Sequence, residues 1–185
     1  MRGYVLSIWS IIDPIYYFFT RLTYLPCEGA QGSIFRIRLT KYKGRNIILS
    51  DGTQINKNDI LVKIHLHNAK LLKELKDIRS ELKKAKIIYR HVQKSLPELE
   101  HYIRNNSHSS KIKGIIGITM LNKGCDRLGF EIVAINNPIY KWFKWFAFLP
   151  IEILSSQNHS WTGLRNRKPN YLFMSSNKLS RMYKG

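Results

Sequence analysis

The run Asp59-Ile60-Leu61-Val62-Lys63-Ile64-His65-Leu66-His67-Asn68 decides how the chain is read. Its first nine residues are rich in branched apolar side chains and predict a strand. Past Asn68 the apolar period changes. Leu71, Leu75, Ile78, Leu82, Ala85, Ile88 and Val92 recur at spacings of three and four, which gathers them into one stripe along a long helix. Asn68 is placed to cap that helix. A strand leading straight into such a helix predicts an α+β domain with the helix laid across a sheet; a long coiled coil is the alternative.

Upstream, Ser33-Ile34-Phe35-Arg36-Ile37-Arg38-Leu39 alternates apolar and basic residues, as a half-buried strand does. Lys43-Gly44 makes a turn. Asn46-Ile47-Ile48-Leu49 is a second strand, ended by the turn dipeptide Asp51-Gly52. Antiparallel neighbours joined by short turns are the economical arrangement for these strands. Downstream, Pro97 breaks or restarts the long helix after Ser95, and a short helix runs to about Arg104. Residues 105–110 form a polar loop. Strands return at 115–121 and 130–135, linked by 124–129. Tyr171 to Met174 reads as a last strand, and Ser176 as the cap of a final short helix.

Two further helices are expected. In residues 4–25, Val5, Ile8, Ile12, Ile15, Phe19 and Leu22 fall on one helical face, with Ser7, Ser10, Tyr17, Arg21 and Tyr24 opposite. Asp13, Arg21 and the polar stripe favour an in-plane or core-packed helix over a membrane span. Asp13-Pro14 interrupts the apolar stretch and no small-x-small cleavage site follows, so the segment is read as retained. The second helix is opened by Asn137-Pro138 and stopped by Pro150. The expected organisation is one domain over 1–185. It has an amphipathic helical segment at 1–25, an α+β core with an antiparallel or mixed sheet at 33–135, an aromatic-basic helix at 137–154 and a basic segment at 155–185.

Charge narrows the partner. The 185 residues carry 31 Lys and Arg against 12 Asp and Glu, a formal net charge of +19. Self-repulsion on that scale is more easily tolerated when a polyanion shares the field. Anionic lipid, envelope polymer and nucleic acid all qualify; a lysine-rich soluble surface is the plain alternative. Hydrophobic residues make up 44% of the chain, so it is not a disordered basic tail. The two cysteines, Cys27 and Cys125, lack metal-ligand spacing, and a reducing compartment fits them.

Three local patterns bear on chemistry. Lys141, Trp142, Lys144, Trp145 and Phe148 lie in a ring-rich helix too short to span a bilayer. Tryptophan favours the headgroup zone and lysine stems snorkel from it, so these residues are read as membrane contacts; a buried helix under a basic loop is the alternative. His65 and His67 share a strand face two residues apart. With Glu131 they are candidate catalytic residues, as acid and base or as holders of a phosphate; zinc binding, which needs a third ligand such as Glu131 or Asp126, and two exposed histidines without chemistry are the alternatives. Asn68, His159, Arg165, Arg167 and Lys168 are candidate anion-binding residues, since guanidinium and ammonium groups suit phosphate. Nucleotide-binding loops, nucleophile elbows and zinc-protease helices are absent, and no cofactor or metal is expected.

The stretch from Asp51-Gly52-Thr53-Gln54-Ile55 through Asn58 to Asn68 resembles the "DGT-x-I-x-x-GD … HLHN" pattern of the YkoP-like family. So do Leu128-Gly129-Phe130-Glu131-Ile132 and Met174-Ser175-Ser176 … Leu179-Ser180-Arg181-Met182-Tyr183. The resemblance covers nearly the whole chain. Asn58 stands where relatives often have glycine. Related domains occur fused to polysaccharide deacetylases, so the resemblance implies a cell-envelope setting and no mechanism. Nothing here resembles the deacetylase domain, and that activity is not carried over. The expected function is that of an accessory or binding protein, peripheral on the cytoplasmic side of a membrane, with an anionic membrane surface or envelope polymer as partner. The alternatives are an enzyme acting on a lipid-linked or phosphorylated envelope substrate, and a nucleic-acid-binding protein; a soluble cytoplasmic setting is the alternative location.

Overall fold

A computed structural model describes residues 22–25, 33–119, 124–137 and 169–185. Its strands are β1 (Thr23–Tyr24), β2 (Phe35–Lys41), β3 (Ile47–Ile48), β4 (Gln54–Ile55), β5 (Ile60–Leu66), β6 (Ile112–Thr119), β7 (Glu131–Ala134) and β8 (Asn170–Ser175). The helices are α1 (Asn68–Leu75), α2 (Glu81–Arg104) and α3 (Ser176–Tyr183). Six strands form one sheet in the order β1-β2-β5-β6-β8-β7, and β3 and β4 pair as a separate hairpin. Among the described strands of the larger sheet, only the β5–β6 pair is parallel. Parallel neighbours need a crossover, and α1 and α2 supply it. The fold is α+β with a mixed sheet, as expected.

Both faces of the sheet centre are covered, which explains the unbroken run Ile60-Leu61-Val62. On one face Phe35, Ile37, Val62, Ile115 and Met174 pack against Leu71 and Leu75 of α1, Leu96, Leu99 and Ile103 of α2, and Leu179 of α3. On the other, Leu61, Ile116 and Phe173 pack under Leu49 and Ile55 of the hairpin, with Tyr42. Each such large side chain contributes roughly 1.5–3 kcal/mol when fully buried. Truncating the fully buried Leu96 would cost about 2–5 kcal/mol.

The helices depart from expectation at three points. The helix after β5 starts at Asn68, so its cap is His67, whose side chain makes no capping hydrogen bond. It stops at Leu75, and a new helix starts after Ser80, whose side chain accepts from the Lys83 N–H. Pro97, expected to break the chain, sits inside α2. An interior proline costs about 3 kcal/mol, and burial of the adjacent Leu96 and Leu99 at 0% exposure offsets it. Ser95 adds a bond there, accepting from the Ile34 N–H at 3.1 Å.

Two strand expectations also change. Ile47–Ile48 pairs with β4 and not with the larger sheet, because the tight turn at Asp51-Gly52 folds it back locally. Gly52 has φ +82°, a conformation glycine adopts freely. At the N-terminal side, Thr23 and Tyr24 form an edge strand against Ile37 and Arg36, where a helix was expected. The expected helices at 1–25 and 137–154 otherwise lie outside the described residues. Among the described residues no helix is long and apolar enough to cross a membrane.

Candidate functional site

The register of β2 against β5 sets basic side chains opposite one another. Arg36 faces His65, and Arg38 faces Lys63. The Arg38–Lys63 pair puts like charges directly opposite, which is destabilising, so strand pairing alone does not explain it. Tyr24 lies beside Arg36 on β1. Arg36 Nη2 donates to Tyr24 Oη at 2.9 Å, and the guanidinium carbon stands 5.0 Å from the Tyr24 ring centre. His67, at the junction of β5 and α1, places its ring 5.7 Å from that of Tyr24, edge to face. Its backbone N–H donates to Ile34 O at 2.9 Å, extending the ladder past the strand end.

Depth separates these side chains from an ordinary basic surface. Arg36 is only 3% exposed, and Arg38, Lys63, His65 and His67 are half-buried. Arg36 Nε, Arg38 Nε and His65 Nε2 are buried nitrogens without a hydrogen bond at that atom; each of these residues has other interactions in the molecule. Asn68 is half-buried as the first residue of α1. Among the described residues, no three histidine, cysteine or acidic side chains stand close enough to hold a metal ion.

Glu131 is placed elsewhere. Lys63 aligns with Ile116, Ile116 with Phe173, and Phe173 with Glu131. Three strand spacings therefore separate the β5 and β7 positions, about 14 Å. The Glu131 carboxylate accepts the Ser50 N–H at 2.9 and 3.1 Å and the Ser50 hydroxyl at 2.6 Å. Lys178 Nζ lies 3.5 Å from it. Glu131 thus joins the hairpin to β7 and α3, and it is not brought to His65 or His67.

A second joint lies beside it. Ser175 Oγ donates to Asp51 Oδ2 and accepts the Lys178 N–H at 2.9 Å as the cap of α3. Burial alone would raise the Asp51 carboxyl, but hydrogen bonds from Ser175 and Thr53 outweigh it and hold the group below the usual carboxylate range. Ser176 Oγ donates to Ile112 O at 2.8 Å. The residues missed from sequence are therefore Tyr24, Arg36 and Arg38 at the cationic corner, and Ser50, Ser175 and Lys178 at the joints. The alternating arginines of β2 were visible; their partners on β5 required the register.

His159, Arg165, Arg167 and Lys168, and the ring-rich Lys141, Trp142, Lys144, Trp145 and Phe148, lie outside the described residues. Comparison with known proteins covers them in sequence. A family model described as the YkoP domain matches residues 2–183. A protein of Bacillus subtilis (strain 168), named uncharacterized protein YkoP, is 52% identical over 183 residues, spanning 99% of this chain and 98% of its own length. No solved structure shows a match.

Proposed function

The chain belongs to the YkoP domain family, and from that premise we propose that it is a non-catalytic accessory or binding protein that docks, from the cytoplasmic side, on an anionic membrane surface. The observation that carries this reading is how the two signs of charge are used. Four of the described carboxylates serve the fold. Asp51 holds Ser175, Glu131 holds Ser50 and Lys178, Glu100 takes Arg104 and Ser180, and Asp59 accepts the Asn56 N–H. Meanwhile lysines and arginines such as Lys43, Arg45, Lys57, Lys86 and Arg90 stand exposed. Glu74, Asp77 and Glu81 face outward beside His91, Lys76 and Lys84, but among the described residues exposed lysines and arginines outnumber exposed carboxylates, so the net charge of +19 projects from the surface as a field that an anionic leaflet would share.

Each lysine or arginine near such a leaflet contributes about 1 kcal/mol. The ring-rich sequence of residues 139–149 adds apolar insertion at headgroup depth. Flotation of the protein with vesicles tests the reading. Co-flotation with anionic vesicles and little with neutral ones is expected; absence from both would remove it.

A further inference from the structure

We infer that the outer face of α2 is the edge that lies on the anionic lipid, a conclusion that rests on the membrane association proposed above. Lys83, Lys86, Arg90 and Lys94 are all exposed. At 100° per residue they fall within an arc of about 80° and run for about 16 Å along the helix. No carboxylate of α2 falls in that arc. Neighbouring like charges three and four residues apart weaken a helix, so folding does not account for the row. The row faces away from the core, because the same helix buries Leu96, Leu99 and Ile103 against the sheet.

A basic helix face suits a nucleic acid by charge as well, and it is the polarity beside the row that favours a bilayer. Beside the row, one turn before Lys86, Leu82 is 85% exposed. An apolar side chain there enters the acyl boundary while the lysine stems snorkel to the headgroups. The other cationic group, around Arg36 and His65, is the wrong candidate for a flat partner, because Arg36 is 3% exposed and the rest are half-buried.

The test compares two charge-matched variants of the full chain. One carries Lys83→Gln, Lys86→Gln, Arg90→Gln and Lys94→Gln. The other carries Lys41→Gln, Lys43→Gln, Arg45→Gln and Lys57→Gln, exposed positions around the hairpin on the opposite side of the sheet. Glutamine keeps the helix propensity of lysine and arginine, and equal thermal unfolding verifies both. Affinity is read by co-sedimentation with vesicles of mixed phosphatidylglycerol and phosphatidylcholine. A loss on the order of fivefold per cation is expected at α2, about a hundredfold or more together, against less than about tenfold for the hairpin variant. If the unmodified protein binds but the hairpin variant loses as much as the α2 variant, the α2 assignment is overturned and the association stands. If the unmodified protein ignores the vesicles, both fall. If it ignores them but binds duplex DNA through the α2 row, the partner is nucleic acid and the inference is likewise overturned.

Discussion

Ser175 and Asp51, 124 residues apart, are joined by a direct side-chain hydrogen bond, with Ser175 as donor. The same Ser175 oxygen caps α3. One fully buried hydroxyl therefore ties the Asp51-Gly52 turn to the end of β8. Ser175→Ala removes a cap and takes the Ser175 donor from Asp51 Oδ2, leaving Thr53 N–H on Oδ1, and should destabilise the protein by about 2–3 kcal/mol. Urea unfolding of the two proteins measures this. Ser175→Thr, which keeps the hydroxyl, should recover part of the loss.

The same bond predicts an acid response. Folding lowers the Asp51 carboxyl from its ordinary value of 3.8. A lowered group contributes stability above its unfolded value and loses it as pH falls through the folded value. Between pH 7 and 5 the contribution should be constant; below 3.8 it should fall. Asp51→Asn, which does not titrate, should flatten that part of the acid profile. An unchanged profile would place the acid sensitivity elsewhere.

Glu131 is expected to matter for stability more than for binding. Its carboxylate takes both the N–H and the hydroxyl of Ser50, so Glu131→Ala removes one of the ties between the hairpin and the sheet. A loss of about 2 kcal/mol is expected, since bonds to a charged group contribute roughly 1.5–3 kcal/mol. Vesicle affinity at a temperature where the variant is folded should change little. A catalytic or ligand-binding role would instead show as lost function at unchanged stability.

Asn58 adopts φ +73°, the left-handed region that glycine enters freely and asparagine tolerates. Asn58→Gly should be neutral or stabilising by up to about 1 kcal/mol, and Asn58→Val should cost about 1–2 kcal/mol. Thermal unfolding of the pair is the check.

Pro97 offers a test of opposite sign. It is exposed and interior to α2. Pro97→Ala supplies the missing N–H and should stabilise by about 1–3 kcal/mol, less the roughly 0.4–1 kcal/mol by which proline restricts the unfolded chain. A destabilised variant would mean that α2 depends on the proline geometry.

The strands at Phe35–Lys41, Ile47–Ile48 and Ile60–Leu66 and the closing strand and helix at Tyr171 to Tyr183 were legible because period and turn chemistry are local; β4 at Gln54–Ile55 is too short to show a period. Asp51-Gly52 marked its own turn, whereas the cap of α3 is Ser175, one residue before the Ser176 expected from sequence. The parallel β5–β6 pair was not legible, because nothing near Ile60 or Ile112 encodes which neighbour lies across the sheet. Pro97 misled for a related reason: local propensity argued for a break, and the burial of Leu96 and Leu99 overrode it. At the candidate site, His65 and Glu131 were visible as residue types, while their separation across the sheet follows only from strand order. The pairing of Arg36 with His65 likewise belongs to the register.

Retention on anionic vesicles across a salt series tests the central claim most directly. The account predicts strong binding at low salt and a steep fall as the Debye length shrinks below about 10 Å, near 0.1 M. A residue of binding should persist at higher salt through apolar insertion. Failure to bind at low salt, or retention that is equal on neutral vesicles and indifferent to salt, would contradict it.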